Sequence, residues 1–123
     1  MAMTTENTRM MIYLSGSGDA VINWGDGTVE QEMLLEYDKE RKGDDFSFIH
    51  DYRENSAHTI KITGENITHL FCLGMELTGL DVRKDKSLAT LDCSINELTS
   101  LDVSNNPVLK ELHYDEDRVK LIR

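Results

Sequence analysis

An internal repeat constrains this chain more than any other feature. Apolar residues recur 21 positions apart in three successive copies, as in Leu70, Leu91 and Leu112. The other matching sets are Ile67, Leu88 and Leu109; Cys72, Cys93 and Tyr114; Leu77, Leu98 and Val119; and Leu80, Leu101 and Ile122. A period of this length indicates stacked coils that each bury an apolar side against their neighbours.

One repeat predicts two short strands separated by tight turns. Leu91 and Cys93 alternate with polar neighbours, and Leu101 and Val103 do the same on the return path. This alternation is typical of half-buried strands. Asn96 and Asn106 each follow such a strand by three residues, where an asparagine side chain is expected to hydrogen-bond the backbone of a turn.

Residues 64–123 resemble leucine-rich repeats of a kind frequent in surface and secreted proteins of Bacteroides-like bacteria. That family reads L-x-x-L-D-C-S-x-N-x-L-T-S-L-D-V-S-x-N-P-x-L, and LTSLDVSNNP at residues 98–107 matches it almost letter for letter. The first copy departs from it with Met75 and with RKDK at residues 83–86, and the third is truncated and carries Asp117. The resemblance implies a short solenoid of two to three coils over residues 64–123.

The first half reads as a series of short strands. We predict strands at residues 9–14, 20–24, 46–52 and 59–63, with loops at 15–19 and 53–56 and turns at 25–27 and 43–45. Residues 1–7 are polar and are expected to be frayed. Residues 30–42 fit either a helix or an extended chain, and the extended chain is favoured.

This half resembles the PKD-like β-sandwich family, which has an immunoglobulin-like fold. The matching residues are Trp24, Gly25, Asp26, Gly27 and Thr28, then His50 and Tyr52, then Thr59, Ile60 and Ile62. The first motif is shorter than the family's W-x-F-G-D-G-T, and Ala57-His58-Thr59 replaces the usual Gly-x-Tyr. The two resemblances imply a mostly β chain, with a small PKD-like sandwich over residues 1–63 that caps the repeats of residues 64–123.

The charge of the chain excludes several classes of partner. The formal net charge is −10, from 23 acidic and 13 basic residues. An acid excess without a basic cluster argues against nucleic acid and against anionic membrane surfaces. The chain shows no apolar run of about 20 residues and no signal peptide at its start, so we expect no membrane insertion.

The two cysteines, Cys72 and Cys93, occupy the same slot of adjacent coils. Neighbouring strands would place their backbones about 5 Å apart, which is within disulfide range. Both side chains would point inward along parallel strands, which is a poor orientation for a bridge. We therefore expect buried free thiols, although the sequence leaves a bridge open, and we expect no zinc or other metal site and no cofactor.

Several residues of the first half invite a catalytic interpretation. Asp26 lies between two glycines, where a carboxylate more often holds a turn than binds calcium. His50 and Tyr52 flank Asp51, but the family resemblance implies packing and a hydrogen bond between sheets. Trp24 is expected in the core and His58 at the surface. The usual enzyme motifs are absent, so a small hydrolase is disfavoured; a close Asp26–His50 pair on a pocket would support one, and burial of His50 would oppose it.

The outer face of the stacked strands is the candidate binding surface. Residues that flank the inward leucines and cysteines point outward together, and we call this set the strand ladder. Its members are His69, Phe71 and Leu73 in the first coil, Thr90, Asp92 and Ser94 in the second, and Glu111, His113 and Asp115 in the third. Phe71 and Leu73 are apolar, which suggests contact with a partner or with the first half of the chain.

The preferred function is a non-enzymatic binding or adhesion module that recognises protein or carbohydrate. The resemblances imply an extracellular or cell-surface location. The alternative is an accessory or spacer domain of a larger secreted hydrolase. We expect a monomer or weak dimer, although the unfinished third coil could stack on another chain as a dimer or an open fibre.

Overall fold

The computed structural model describes residues 1–38, 40 and 46–123. These residues contain ten strands and no α-helix, which confirms a mostly β fold with an antiparallel sheet. The strands are β1 (Ala2–Thr5), β2 (Arg9–Asn23), β3 (Val29–Met33), β4 (Ser47–Asp51), β5 (His58–Phe71), β6 (Leu77–Asp81), β7 (Thr90–Asp92), β8 (Ser100–Asp102), β9 (Glu111–His113) and β10 (Lys120–Ile122). The turn expected at residues 43–45 lies outside the described residues. The described ranges contain no helical segment that could span a lipid bilayer.

Eight of these strands form one sheet in the described part of the chain. Its central order is β3-β2-β5-β1-β6, all antiparallel, and β4 also pairs with β2. Strands β7 and β9 extend the sheet in parallel from β5, and β8 and β10 form a separate parallel pair. The sheet therefore joins the first half of the chain to the repeats.

Strand β2 is continuous, so the predicted division into two strands with a loop at residues 15–19 is wrong. Its ladder with β5 is irregular between Ser15 and Gly16 and between Ser17 and Ala20. A Cβ atom on Gly16 would overlap the carbonyl oxygen of Asn66, so only glycine allows this close approach. The glycines thus support a bulged strand, because backbone pairing on both sides keeps the segment in the sheet.

The first residues are also a strand, so the expectation of a frayed start is wrong. Strand β1 lies between β5 and β6, with Met3 opposite Ile60 on one side and Leu80 on the other. Met3 and Thr5 are fully buried, and the Met1 ammonium group donates to the Ile62 carbonyl at 2.7 Å. The short polar segment is held because both of its backbone edges are paired.

The repeat spacing predicts most of the parallel register. Leu70 lies beside Leu91, and Leu91 beside Leu112, which confirms the 21-residue offset in β5, β7 and β9. In the other pair, Leu101 lies beside Leu121, so the predicted match of Leu101 with Ile122 is wrong by one residue. The last coil is one residue shorter than its predecessor, and Ile122 is 43% exposed.

Two buried asparagines connect successive coils, and Asn96 also bonds the backbone of its own turn, as the sequence predicts. The Asn96 amide nitrogen donates to the carbonyls of Cys72, Cys93 and Ser94, and its oxygen accepts from the Met75 and Leu77 backbone. The Asn106 amide nitrogen donates to the Val82 and Asp85 carbonyls. Both side chains supply hydrogen-bond partners to backbone groups of the turns that have no backbone partner.

A single apolar cluster runs through the described residues. It extends from Trp24 and Tyr52 through Ile62 to Leu101 and Val119. The boundary predicted between residues 63 and 64 falls inside β5. The core therefore continues from the first half of the chain into the repeats.

Both cysteines lie in this core as free thiols, which confirms the expectation. Burial raises the pKa of the Cys93 thiol to about 12 and raises that of Cys72 well above its usual range. Both groups therefore stay protonated and behave as small apolar side chains.

Candidate functional site

The β2–β3 turn is fixed by its own side chains. Gly25 has a φ of 83°, and a Cβ atom there would overlap the Thr59 carbonyl oxygen. The Asp26 carboxylate accepts the Thr28 backbone N–H at 3.0 Å, and Asn23 accepts the Gly25 N–H at 3.0 Å. The turn-holding role predicted for Asp26 is confirmed.

His50 on β4 reaches across to this turn. Its Nε2 donates to Asp26 Oδ2 at 2.7 Å, and the two side chains are 15% and 25% exposed. The hydrogen bond from His50 is the largest cause that lowers the pKa of Asp26, to about 2. The pair ties the far end of β4 to the β2–β3 turn.

Four rings form a column beside this pair, which we call the ring column: Trp24, His50, Tyr52 and His58. The centroids of Trp24 and His50 lie 4.8 Å apart with planes 12° from parallel, and His50 meets Tyr52 edge-on at 4.8 Å. Tyr52 stacks on His58 at 3.9 Å, so the prediction of an exposed His58 is wrong; it is half-buried because it covers the tyrosine.

Hydrogen bonds fix the two largest rings of the column. The Tyr52 hydroxyl donates to the Trp24 carbonyl at 2.5 Å, and burial raises the pKa of Tyr52 to about 12. Trp24 Nε1 donates to Glu30 Oε1 at 2.6 Å, and the Trp24 side chain is fully buried, which confirms its place in the core. Tyr52 packs as expected, but its bond does not join two sheets, because Trp24 and Tyr52 follow β2 and β4, which pair in one sheet.

A cavity of about 480 Å³ opens beside the ring column. Its walls are Asp26, Thr28, His50, Asp51, Tyr52, Arg53, Glu54 and His58. The Asp26–His50 pair therefore does open on a pocket, but His50 is also packed between Trp24 and Tyr52. The Nε2 atom of His50 is occupied by its hydrogen bond to the Asp26 carboxylate.

The strand ladder forms with the predicted neighbours. His69, Thr90 and Glu111 lie side by side across the three parallel strands. Phe71, Asp92 and His113 form the next row. Glu111 and His113 are exposed and Leu73 is 38% exposed, but Thr90 is only 4% exposed and offers little to a partner.

Three members of the ladder hold turns. Asp92 accepts the backbone N–H and the hydroxyl of Ser94, at 3.1 and 2.6 Å. Asp115 accepts the backbone N–H groups of Ile95 and Asn96, and these bonds lower the pKa of its carboxyl. The Asp92–Ser94 bonds hold a turn within the second coil, whereas Asp115 joins the third coil to the second. The ladder residues best placed to meet a ligand are therefore His69, Phe71, Leu73, Glu111 and His113.

Aromatic rings from another segment cover one end of the ladder. Tyr37 stacks on His69 with centroids 4.4 Å apart, and it lies 6.5 Å from Phe71 and 5.9 Å from Phe46. We call these four residues the aromatic platform. Burial lowers the pKa of His69, whereas Tyr37 itself is 48% exposed. The sequence pattern around Tyr37 contains no signal for this long-range contact.

Comparison with known proteins finds no family model, no curated protein and no solved structure that matches this chain. No group of three or more histidine, cysteine or acidic side chains in the described ranges could hold a metal ion. The fold and the two sites define the chain as a mostly β protein built on an antiparallel sheet.

Proposed function

We propose that this chain is a non-enzymatic binding module that recognises a protein surface. In this proposal a PKD-like sandwich is followed by two to three leucine-rich coils, and the resemblances imply a secreted or cell-surface location. The support is the 21-residue register of β5, β7 and β9, together with the turn held by Asp26, His50 and Tyr52. Carbohydrate is the alternative ligand class.

The aromatic platform carries the proposal. Tyr37 exposes 48% of its surface while its ring is stacked on His69, which lies on β5. Aromatic side chains fixed by packing contribute a large contact area at a low cost in conformational entropy. Such residues are the usual anchors of protein interfaces.

Charge indicates the kind of protein that would bind. The exposed carboxylate of Glu111 lies in the same row as His69, and the whole chain carries a net charge of −10. A surface that presents arginine or lysine beside apolar side chains would match this arrangement, because cations also bind over aromatic rings.

The test is a binding screen of the purified chain against basic extracellular matrix proteins and a glycan array. The variant Tyr37→Ser removes the exposed ring, and Val108→Ser is the matched control because Val108 is 52% exposed elsewhere. We expect the first variant to weaken binding by about 30-fold, the range of an interface hot spot, and the control to bind normally.

The other results of this screen discriminate the alternatives. A hit on glycans alone would assign the platform to carbohydrate. A screen without any hit would contradict recognition and favour an accessory or spacer domain of a larger secreted hydrolase. Equal loss in both variants would show that the platform is not the site.

We infer that the Asp26–His50 pair is a structural tie and not an acid–base dyad. Its histidine is stacked on Trp24 and is edge-on to Tyr52, and its carboxylate already accepts the Thr28 backbone N–H. General acid–base chemistry needs a group that can reach a reacting atom with the proton free to move. A hydrolase is therefore the weaker proposal, although the adjoining cavity gives it a place to be tested.

A further inference from the structure

The apolar core is open at the last coil. In the second coil, Leu91, Cys93 and Leu101 are at most 1% exposed. Their neighbours in the third coil, Leu112 and Leu121, are only half-buried, as is Tyr114. The end of the stack thus presents an apolar strip between two strands.

The backbone of the same end is unpaired on one side. In the described residues, β9 pairs only with β7, and β10 only with β8. The Glu111 N–H donates to Ala89 and the His113 carbonyl accepts from Cys93. Because alternate residues of a strand direct their polar groups to opposite sides, the N–H and C=O of Leu112 face away from the stack.

Strand β10 shows the same arrangement. The Lys120 N–H donates to the Thr99 carbonyl, and the Ile122 carbonyl accepts from Val103. The N–H and C=O of Leu121 therefore face outward as well. Two exposed strand edges flank one apolar strip, which is a template for pairing with another strand.

The edge of β9 is complementary to itself. If two copies of β9 pair antiparallel with Leu112 opposite Leu112, each Leu112 exchanges both backbone hydrogen bonds with its counterpart. This register places Glu111 of each copy opposite His113 of the other, on the exposed face. It also brings Lys110 of each copy opposite Tyr114 of the other, one position before Asp115.

We propose that two copies of this chain associate through the β9 and β10 edges about a two-fold axis. The contact covers Leu112, Tyr114 and Leu121 and satisfies the outward backbone groups of both leucines. A two-fold contact uses the same patch on both copies, so it closes as a dimer and does not propagate as a fibre. The net charge of −10 on each copy opposes association and keeps the dimer weak at low salt.

Sedimentation velocity over a concentration series tests this proposal. His113→Glu would place two pairs of like charges across the axis, and we expect the dimer to weaken by about tenfold. Adding Glu111→Lys to that variant gives each pair opposite charges and is expected to restore the dimer. Lys86→Gln makes the same change in net charge at an exposed site elsewhere and should leave association unchanged.

Hydrogen exchange gives an independent measurement. The Leu112 and Leu121 amides should become protected as the protein concentration rises through the dimer transition, while the Cys93 amide, bonded to His113, should be protected at all concentrations. A monomer up to about 1 mM, a dimer insensitive to His113→Glu, or no rescue by the second charge change would overturn the proposal.

Discussion

Ile95 is the most strained residue of the repeat. It has a φ of 57° and is 71% exposed, although it is β-branched and the left-handed conformation suits glycine or asparagine. Gly74, which occupies the same slot one coil earlier, has a φ of 68°. The Asp115 carboxylate holds Ile95 in place by accepting its backbone N–H at 2.9 Å.

Replacing Ile95 by asparagine should therefore stabilise the protein. We expect Ile95→Asn to raise the free energy of unfolding by about 1 kcal/mol, since asparagine tolerates this backbone conformation better. Urea denaturation measures the change. Val108→Asn removes an exposed apolar side chain of similar size elsewhere and should give no gain; an equal effect in both variants would contradict the strain argument.

Asp26 makes stability depend on pH in the acid range. Its pKa is lowered from 3.8 to about 2 in the folded chain, so its contribution is fully present above the higher value and is lost as pH falls through the lower one. We expect Asp26→Asn to destabilise the protein at pH 6, and the difference from wild type to narrow between about pH 4 and pH 2. Urea denaturation at several pH values would show this, with Asp117→Asn as the matched control; a constant difference across this range would be evidence against it.

At the scale of elements, β1 holds the largest departure from the sequence-based expectation. A four-residue segment with a single large apolar side chain gives no sequence pattern typical of a strand, because only alternate residues are buried. Its stability comes from pairing with β5 and β6, which are more than fifty residues away in sequence. A pattern within β1 itself cannot indicate a pairing strand so far away in the sequence.

Truncating the buried side chain of β1 should therefore be costly. We expect Met3→Ala to lower the free energy of unfolding by about 3 kcal/mol, because Met3 is only 1% exposed and the site cannot collapse freely. Thermal or urea denaturation measures the loss. Thr4→Ala, on the opposite face of the same strand, should cost about 1 kcal/mol or less; a negligible loss in Met3→Ala would mean that β1 frays in solution.

The sequence predicts best those strands and turns that have a recognisable pattern within a few neighbouring residues. The alternation at residues 59–63, the glycines around Asp26 and the 21-residue spacing all correspond to observed strands or turns. The glycines around residue 16 predict a loop incorrectly, because glycine is equally typical of a loop and of a bulged strand. The register of β10 was missed because one residue is lost within the last coil.

The candidate sites were predictable to different degrees. The rows of the strand ladder follow directly from the period, so their neighbours could be named from the sequence. Tyr37 could not be placed on His69, because the contact joins residues 32 positions apart through a segment without clear periodicity. The bond from His50 to Asp26 likewise joins residues 24 positions apart, which local patterns do not specify.

At the scale of the whole molecule, the sheet and the core cross the boundary that the sequence suggests. Strand β5 pairs with β1 through its first residues and with β7 through its last. The apolar cluster is continuous along this path. A variant that weakens the centre of β5 is therefore expected to destabilise both halves together.

The sequence distance between β1 and its two partner strands also determines when β1 can pair during synthesis. A ribosome releases the first residues before any of their partners exist, and Thr5 must wait until Leu77 has emerged, 72 residues later. At about 5–20 residues per second this delay lasts several seconds, far longer than the formation of a hairpin. Strand β1 is thus made before β5 and β6 but can complete its pairing only after both have been made.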